Sequence, residues 1–139
     1  MKTRIVAKVV LINDENAVLL LRRSETDVRR PNEYDIPGGH TDDNETPEVA
    51  AVRETAEEAG IEIDRSGLKL AYSETKVVDE NLNVVWLVYI AHTSNTDVQL
   101  SSEHNEFRWV TLDEAIDLLE YERQKRMLTH IRDNGLLHG

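Results

Sequence analysis

The chain contains no cysteine, which excludes disulfides and thiol chemistry while leaving the compartment open. Basic residues are also scarce. With 16 Lys and Arg against 27 Asp and Glu, the net charge is −11, and this argues against non-specific binding to a nucleic acid polymer or a membrane, both of which call for basic patches. No apolar run is long enough to cross a bilayer, and residues 1–8 lack the apolar stretch of a signal peptide. A cytoplasmic protein is the expectation. Aromatic residues make up only 5% of the chain. Trp86, Tyr72 and Tyr89 could each stack on a nucleobase, but a large ring in a strand is more often core, and that reading is placed first for all three.

What is present fits one domain of 139 residues with a single core. Residues 4–12 and 17–22 are aliphatic and β-branched with a polar turn between them, so they predict a hairpin. Residues 68–79 and 84–92 predict a second one, whose later strand is apolar on both faces and therefore central in a sheet. Tyr34, Asp35 and Ile36 predict a short strand leading into a tight turn at Gly38-Gly39. Residues 107–110 predict another short strand, followed by helices over about 112–120 and 121–134, the first opened by a Thr111/Glu114 capping box. Strands, a helix, strands and then helices make an α/β or α+β sandwich.

The most informative stretch runs from Gly38 to Ile61, GGHTDDNETPEVAAVRETAEEAGI. Thr46 suits the N-cap, Pro47 the first helical position and Gly60 a left-handed C-terminal cap. At about 100° per residue, Val49, Val52, Ala56 and Ala59 fall on one side, and Glu54, Glu57 and Glu58 on the other. The expectation is a packed face opposite a plate of carboxylates, with the small Ala50 and Ala51 leaving room at its flanks. Carboxylates three and four residues apart repel by roughly 0.2–0.5 kcal/mol per pair. A hard divalent cation taking oxygen ligands compensates for that repulsion. Four arginines lie just upstream, of which Arg22 and Arg23, at a strand end, are the better placed to bind phosphate, while Arg29 and Arg30 read equally well as solvated charge.

The spacing from Gly39 through Glu45, Arg53-Glu54, Glu57-Glu58, Gly60 and Ile61 resembles the signature of the Nudix hydrolases, G-x5-E-x7-R-E-U-x-E-E-x-G-U, with Thr55 standing where that pattern has a bulky aliphatic residue. The resemblance, to MutT-like members among others, implies an α/β/α sandwich with a mixed sheet. It also implies Mg²⁺-dependent hydrolysis of a phosphoanhydride in a nucleoside diphosphate linked to a second group, with Mn²⁺ as the substitute ion. By the same resemblance the metal ligands are the Gly39 carbonyl, Glu54, Glu57 and Glu58; Arg53 and Glu45 orient the glutamates; and the base is Glu54, then Glu103, then His104. Glu103 could equally be a further metal ligand. Residues 74–78, ETKVV, carry neither the proline of ADP-ribose pyrophosphatases nor the tyrosine of dinucleoside polyphosphate hydrolases, leaving nucleoside triphosphates and nucleotide sugars open. The partner is then a small-molecule nucleotide, with a homodimer open. The alternative is a non-catalytic Nudix-like nucleotide or ADP-ribose sensor, which would be expected to have lost carboxylates that are all present here.

Overall fold

A computed structural model describes residues 1–138. Its centre is β1, Lys2–Ile12, whose alternating side chains serve two cores. Ala7, Val9 and Leu11 face one way, and Val10 and Ile12 the other. The first set packs under α1, Pro47–Ala59; the second packs under α2, Leu112–Leu118, and α3, Glu122–Asp133. The result is helix, sheet and helix in three layers.

The remaining strands are β2, Val18–Arg23; β3, Tyr34–Asp35; β4, Gly38–His40; β5, Lys69–Asp79; β6, Leu82–His92; and β7, His104–Val110. β6 runs parallel to β1 along its whole length, from Lys2 opposite Leu82 to Ile12 opposite His92, and β5 pairs antiparallel with the outer edge of β6. Both expected hairpins form. The first is open, however, since β1 and β2 meet only at Ile12 and Val18. Beyond that point they splay: β4 continues along β1 from Val6 to Lys8, and β3 along β2 at Leu21 and Arg22. β7 takes the far edge of β2. The wedge between β1 and β2 is where the site forms.

Two expectations need correction. Gly38-Gly39 is not a tight turn but the start of β4, paired with Lys8 and Ala7. Gly38 nonetheless needs glycine, because its φ is +134° and a Cβ there would lie 2.2 Å from the Ala7 carbonyl oxygen. The polar segment ahead of Phe107 is likewise partly strand, since β7 begins at His104.

The capping of α1 is as the sequence indicates. The Thr46 hydroxyl accepts from the Val49 N–H, Pro47 opens the helix and Gly60 closes it at φ +68°. Its packing face is not. Ala50, Ala51, Thr55, Glu58 and Ala59 are buried, whereas Val49 is exposed. The small residues let α1 lie close to the sheet instead of leaving space for a ligand. Glu58, seven residues after Ala51, returns to within about 20° of it and so points inward.

Thr55 lies on this buried face with its hydroxyl unpartnered. A buried hydroxyl without a hydrogen bond costs about 1–3 kcal/mol. Thr55→Val is therefore expected to raise stability by about 1 kcal/mol in denaturant unfolding; a loss of stability would show that the hydroxyl has a partner in solution.

Candidate active site

The helix carboxylates, the wedge and the start of β7 converge on a cleft of about 1020 Å³. Its floor is the even-numbered face of β1, Arg4, Val6 and Lys8, extended by Val84 and Trp86 of β6 and Lys76 of β5. One end is closed by Gly38, Gly39, Glu54, Glu58, Glu103 and His104. Across the floor stand Arg29 and Arg30 from the loop after β2, with Tyr121, Arg123 and Gln124 at the start of α3.

Arg53 organises the glutamates. Its guanidinium donates to Glu45 at 2.7 and 2.9 Å, to Glu54 at 3.1 Å, to Glu57 at 3.2 Å and to the His40 carbonyl at 3.2 Å. Those hydrogen bonds, with one from the Asp42 N–H, bring the Glu45 carboxyl down to about 2. Glu45 is thus a fixed anion at the edge of the cluster, tying the loop to α1 through Arg53.

Glu54 and Glu58 behave in the opposite sense. Burial raises the Glu54 carboxyl, and nearby Glu57 and Glu103 add to the shift against the pull of Arg53. Gly39 makes room for it, because a Cβ at that position would sit 2.8 Å from the Glu54 carboxylate. Glu58 is 7% exposed and accepts from the Gly38 N–H at 2.8 Å. Burial pushes its carboxyl from 4.5 to about 8, outweighing the attraction of Lys8 and that hydrogen bond. Two acids whose carboxyls are raised by burial despite Arg53 and Lys8 fit a site for further positive charge, and their oxygen donors suit a divalent ion.

The sign of the Glu58 shift fixes a pH dependence. A carboxyl raised on folding favours the folded state at pH below its unfolded value, and that contribution is lost as pH rises from about 4.5 towards 8. In chelator, the melting temperature of the wild type should fall between pH 6 and 8 relative to Glu58→Gln, which lacks the titration. Equal pH slopes for the two proteins would contradict the buried acid.

Of the other expected site residues, Glu57 lies at the exposed rim, while Glu103 and His104 close the cleft beside Glu58, with one ligand atom from each of the three within 4.8 Å of the others. Arg23 lines the cleft, but its guanidinium is committed to Asp35 at 2.8 Å and Asp27 at 2.6 Å. Arg22 turns aside to Asn105 at 2.9 Å and Glu106 at 3.3 Å, outside the cleft lining. Arg29 faces the cleft instead, and with Arg4 and Lys8 it helps burial to lower the His40 imidazole. Trp86 also lines the cleft, under the Arg123 guanidinium at 3.7 Å, whereas Tyr89 is core and gives its hydroxyl to Glu48.

Sequence reasoning missed the network beneath the site. Lys8 Nζ donates to Asp35 at 3.1 Å and to the Ile36 carbonyl at 2.9 Å, and Gln124 donates to Asp35 at 2.6 Å. A lone lysine in the otherwise apolar run IVAKVVLI was the available signal.

The NUDIX domain model matches residues 2–131. The chain belongs to the Nudix hydrolase family. Among curated NUDIX relatives, the rat asymmetrical bis(5'-nucleosyl)-tetraphosphatase is 32% identical over 96 residues, a match covering 66% of this chain. The chain spans 65% of that protein's length. A MutT-like protein of Streptomyces ambofaciens is 30% identical over 126 residues, covering 91% of this chain and 75% of the relative. The crystal structure of the MutT protein from Methanosarcina mazei matches this NUDIX chain with a TM-score of 0.79 at 27% identity, over 95% of each. The mixed sheet between helices is thus the Nudix architecture. No helix among its described residues is long and apolar enough to cross a membrane.

Proposed function

We propose that the chain, acting as one domain over residues 1–139, is a Mg²⁺-dependent nucleotide pyrophosphohydrolase. The observation that carries this reading is that one cleft holds an acid cluster at one end and the cations Arg4, Arg29 and Lys76 along its floor and side. None of those three cations makes an ion pair among the described residues, although the chain as a whole is strongly acidic. Unpaired cations in an acidic protein suit a polyanion, and acids grouped beside them suit the metal that accompanies phosphate.

The Gly39 carbonyl and Glu54, Glu57 and Glu58 are the groups to hold the ion, with Arg53 and Glu45 fixing the carboxylates. When bound, a divalent cation neutralises phosphate oxygens and lowers the pKa of an attacking water. Glu54, whose carboxyl burial raises and which lies beside Gly39, would take the proton from an attacking water, with Glu103 and His104 behind it in rank. Arg4, Arg29 and Lys76 bind the rest of the phosphate chain, the task first expected of Arg22 and Arg23.

The same geometry supports one substrate class over the others. A row of cations leading away from the acids favours a long phosphate chain, and the name of the rat relative points to dinucleoside polyphosphates, the class that residues 74–78 had disfavoured. The test is a Mg²⁺-dependent screen of dinucleoside polyphosphates, nucleoside triphosphates, nucleotide sugars and ADP-ribose, with products identified by phosphorus NMR. Anhydride cleavage fastest on the longest phosphate chain supports the reading. Tight nucleotide binding without cleavage of any compound would favour the sensor instead.

A further inference from the structure

His104 brings a buried imidazole to the acid end of the cleft. The residue is 7% exposed, its Nδ1 is buried without a hydrogen-bond partner, and its backbone starts β7 with the N–H on the Ser101 carbonyl at 3.4 Å. Neighbouring Glu103 is held by its backbone as well, its carbonyl accepting from the Ser24 N–H at 2.9 Å. Glu58 reaches the same place from α1 and is fixed by the Gly38 N–H at 2.8 Å. One ring nitrogen of His104 and one carboxylate oxygen from each glutamate lie within 4.8 Å of one another.

We propose that Glu58, Glu103 and His104 form a mixed nitrogen–oxygen site that takes a divalent first-row transition ion in preference to Mg²⁺. The inference rests on the hydrolase reading, because Glu58 is shared with the acids of α1. An imidazole nitrogen is a poor ligand for Mg²⁺, which prefers an all-oxygen octahedral shell, and a better one for first-row transition ions, Zn²⁺ and Co²⁺ ahead of Mn²⁺. One imidazole nitrogen within 4.8 Å of two carboxylate oxygens adds a donor that Mg²⁺ does not favour. Glu54 and Glu57, with the Gly39 carbonyl, remain the oxygen-only part of the cleft. The chain thereby offers two adjacent positions of different hardness, of which the inner one is selective.

Mn²⁺ is the probe. Metal-free full-length protein is loaded with Mn²⁺, and electron spin-echo spectroscopy reads nitrogen coupling to the ion, first in the wild type and then in wild type grown with isotopically heavy histidine nitrogen. The expected result is a nitrogen coupling that changes with the isotope and vanishes in His104→Gln. In parallel, calorimetry should show that His104→Gln weakens Mn²⁺ binding by about 10-fold or more while leaving Mg²⁺ binding within about 2-fold. The isotope arm uses the wild type and stands even where the variant fails to fold. Mn²⁺ bound without histidine coupling would overturn the mixed site and leave the hydrolase reading intact; no uptake of either ion would overturn both.

Discussion

Turnover is expected to fall by about 10²–10⁴-fold when Glu54 becomes glutamine, the range associated with a positioned acid–base group. The substitution keeps size and shape, and the amide oxygen can still accept from Arg53, which donates to Glu54 at 3.1 Å. What is lost is a carboxylate in the space that Gly39 leaves by having no side chain. The metal-free fold should be unchanged, since Glu54 is not part of the buried face of α1. Steady-state kinetics with circular dichroism as the folding control checks this. Near-wild-type turnover in a folded Glu54→Gln protein would remove Glu54 from the reaction.

Asp35→Ala is expected to cost about 3–5 kcal/mol, the penalty of leaving buried charges without their partner. Asp35 is 3% exposed, and around it stand Lys8 at 3.1 Å, Arg23 at 2.8 Å and Arg30 at 3.9 Å, with Gln124 at 2.6 Å. Burial works to raise its carboxyl, but Lys8, Arg30, the Gln124 hydrogen bond and Arg23 hold it well below the usual carboxylate range. A carboxyl depressed on folding stabilises above its unfolded pKa, and that contribution is lost as pH falls through the folded value. The network is therefore at full strength at neutral pH. It also joins β1, β3 and α3 directly behind Glu58 and Gly38, so its loss should loosen the acid end of the cleft. Urea unfolding at neutral pH measures the effect, and a change under about 1 kcal/mol would show that the charges are hydrated in solution.

These two residues also mark what could and could not be read from the chain. Glu54 sits in a local pattern whose caps and spacings are set by neighbours in sequence, and such features survive into the structure. Thr46, Pro47 and Gly60 bound α1 because each satisfies or omits a backbone group at a helix end. The inward face of α1 depends on which sheet it meets, and the periodicity pointed to the neighbouring face, through Val49 and Val52, because the inward alanines and Thr55 carry little apolar weight. Glu58 was accordingly read as part of an exposed plate, although it is buried.

Asp35 and Lys8 lie 27 residues apart and are joined only because β1 and β2 splay and β3 and β4 fill the wedge. Nothing local to either residue announces the pair. The same holds for Arg22 and Arg23: adjacent strand residues point to opposite faces, and the partners that claim them, Asn105 and Glu106 for one and Asp27 and Asp35 for the other, are set by the β2–β7 register and the loop after β2. Arg4 and Lys76, which make no ion pair among the described residues, are aligned through Val84 between them, a juxtaposition that only the β1–β6–β5 order creates.

The most direct test of the central claim is calorimetric titration of Mg²⁺ and Mn²⁺ into metal-free protein at neutral pH, in buffers of different ionisation enthalpy, with and without a non-hydrolysable dinucleoside polyphosphate. Cation uptake strengthened by the nucleotide, accompanied by proton release from Glu58 and abolished when Glu54 and Glu58 are both glutamine, is the result expected. Absence of uptake under every condition, with the doubly neutralised protein merely more stable than the wild type, would contradict it.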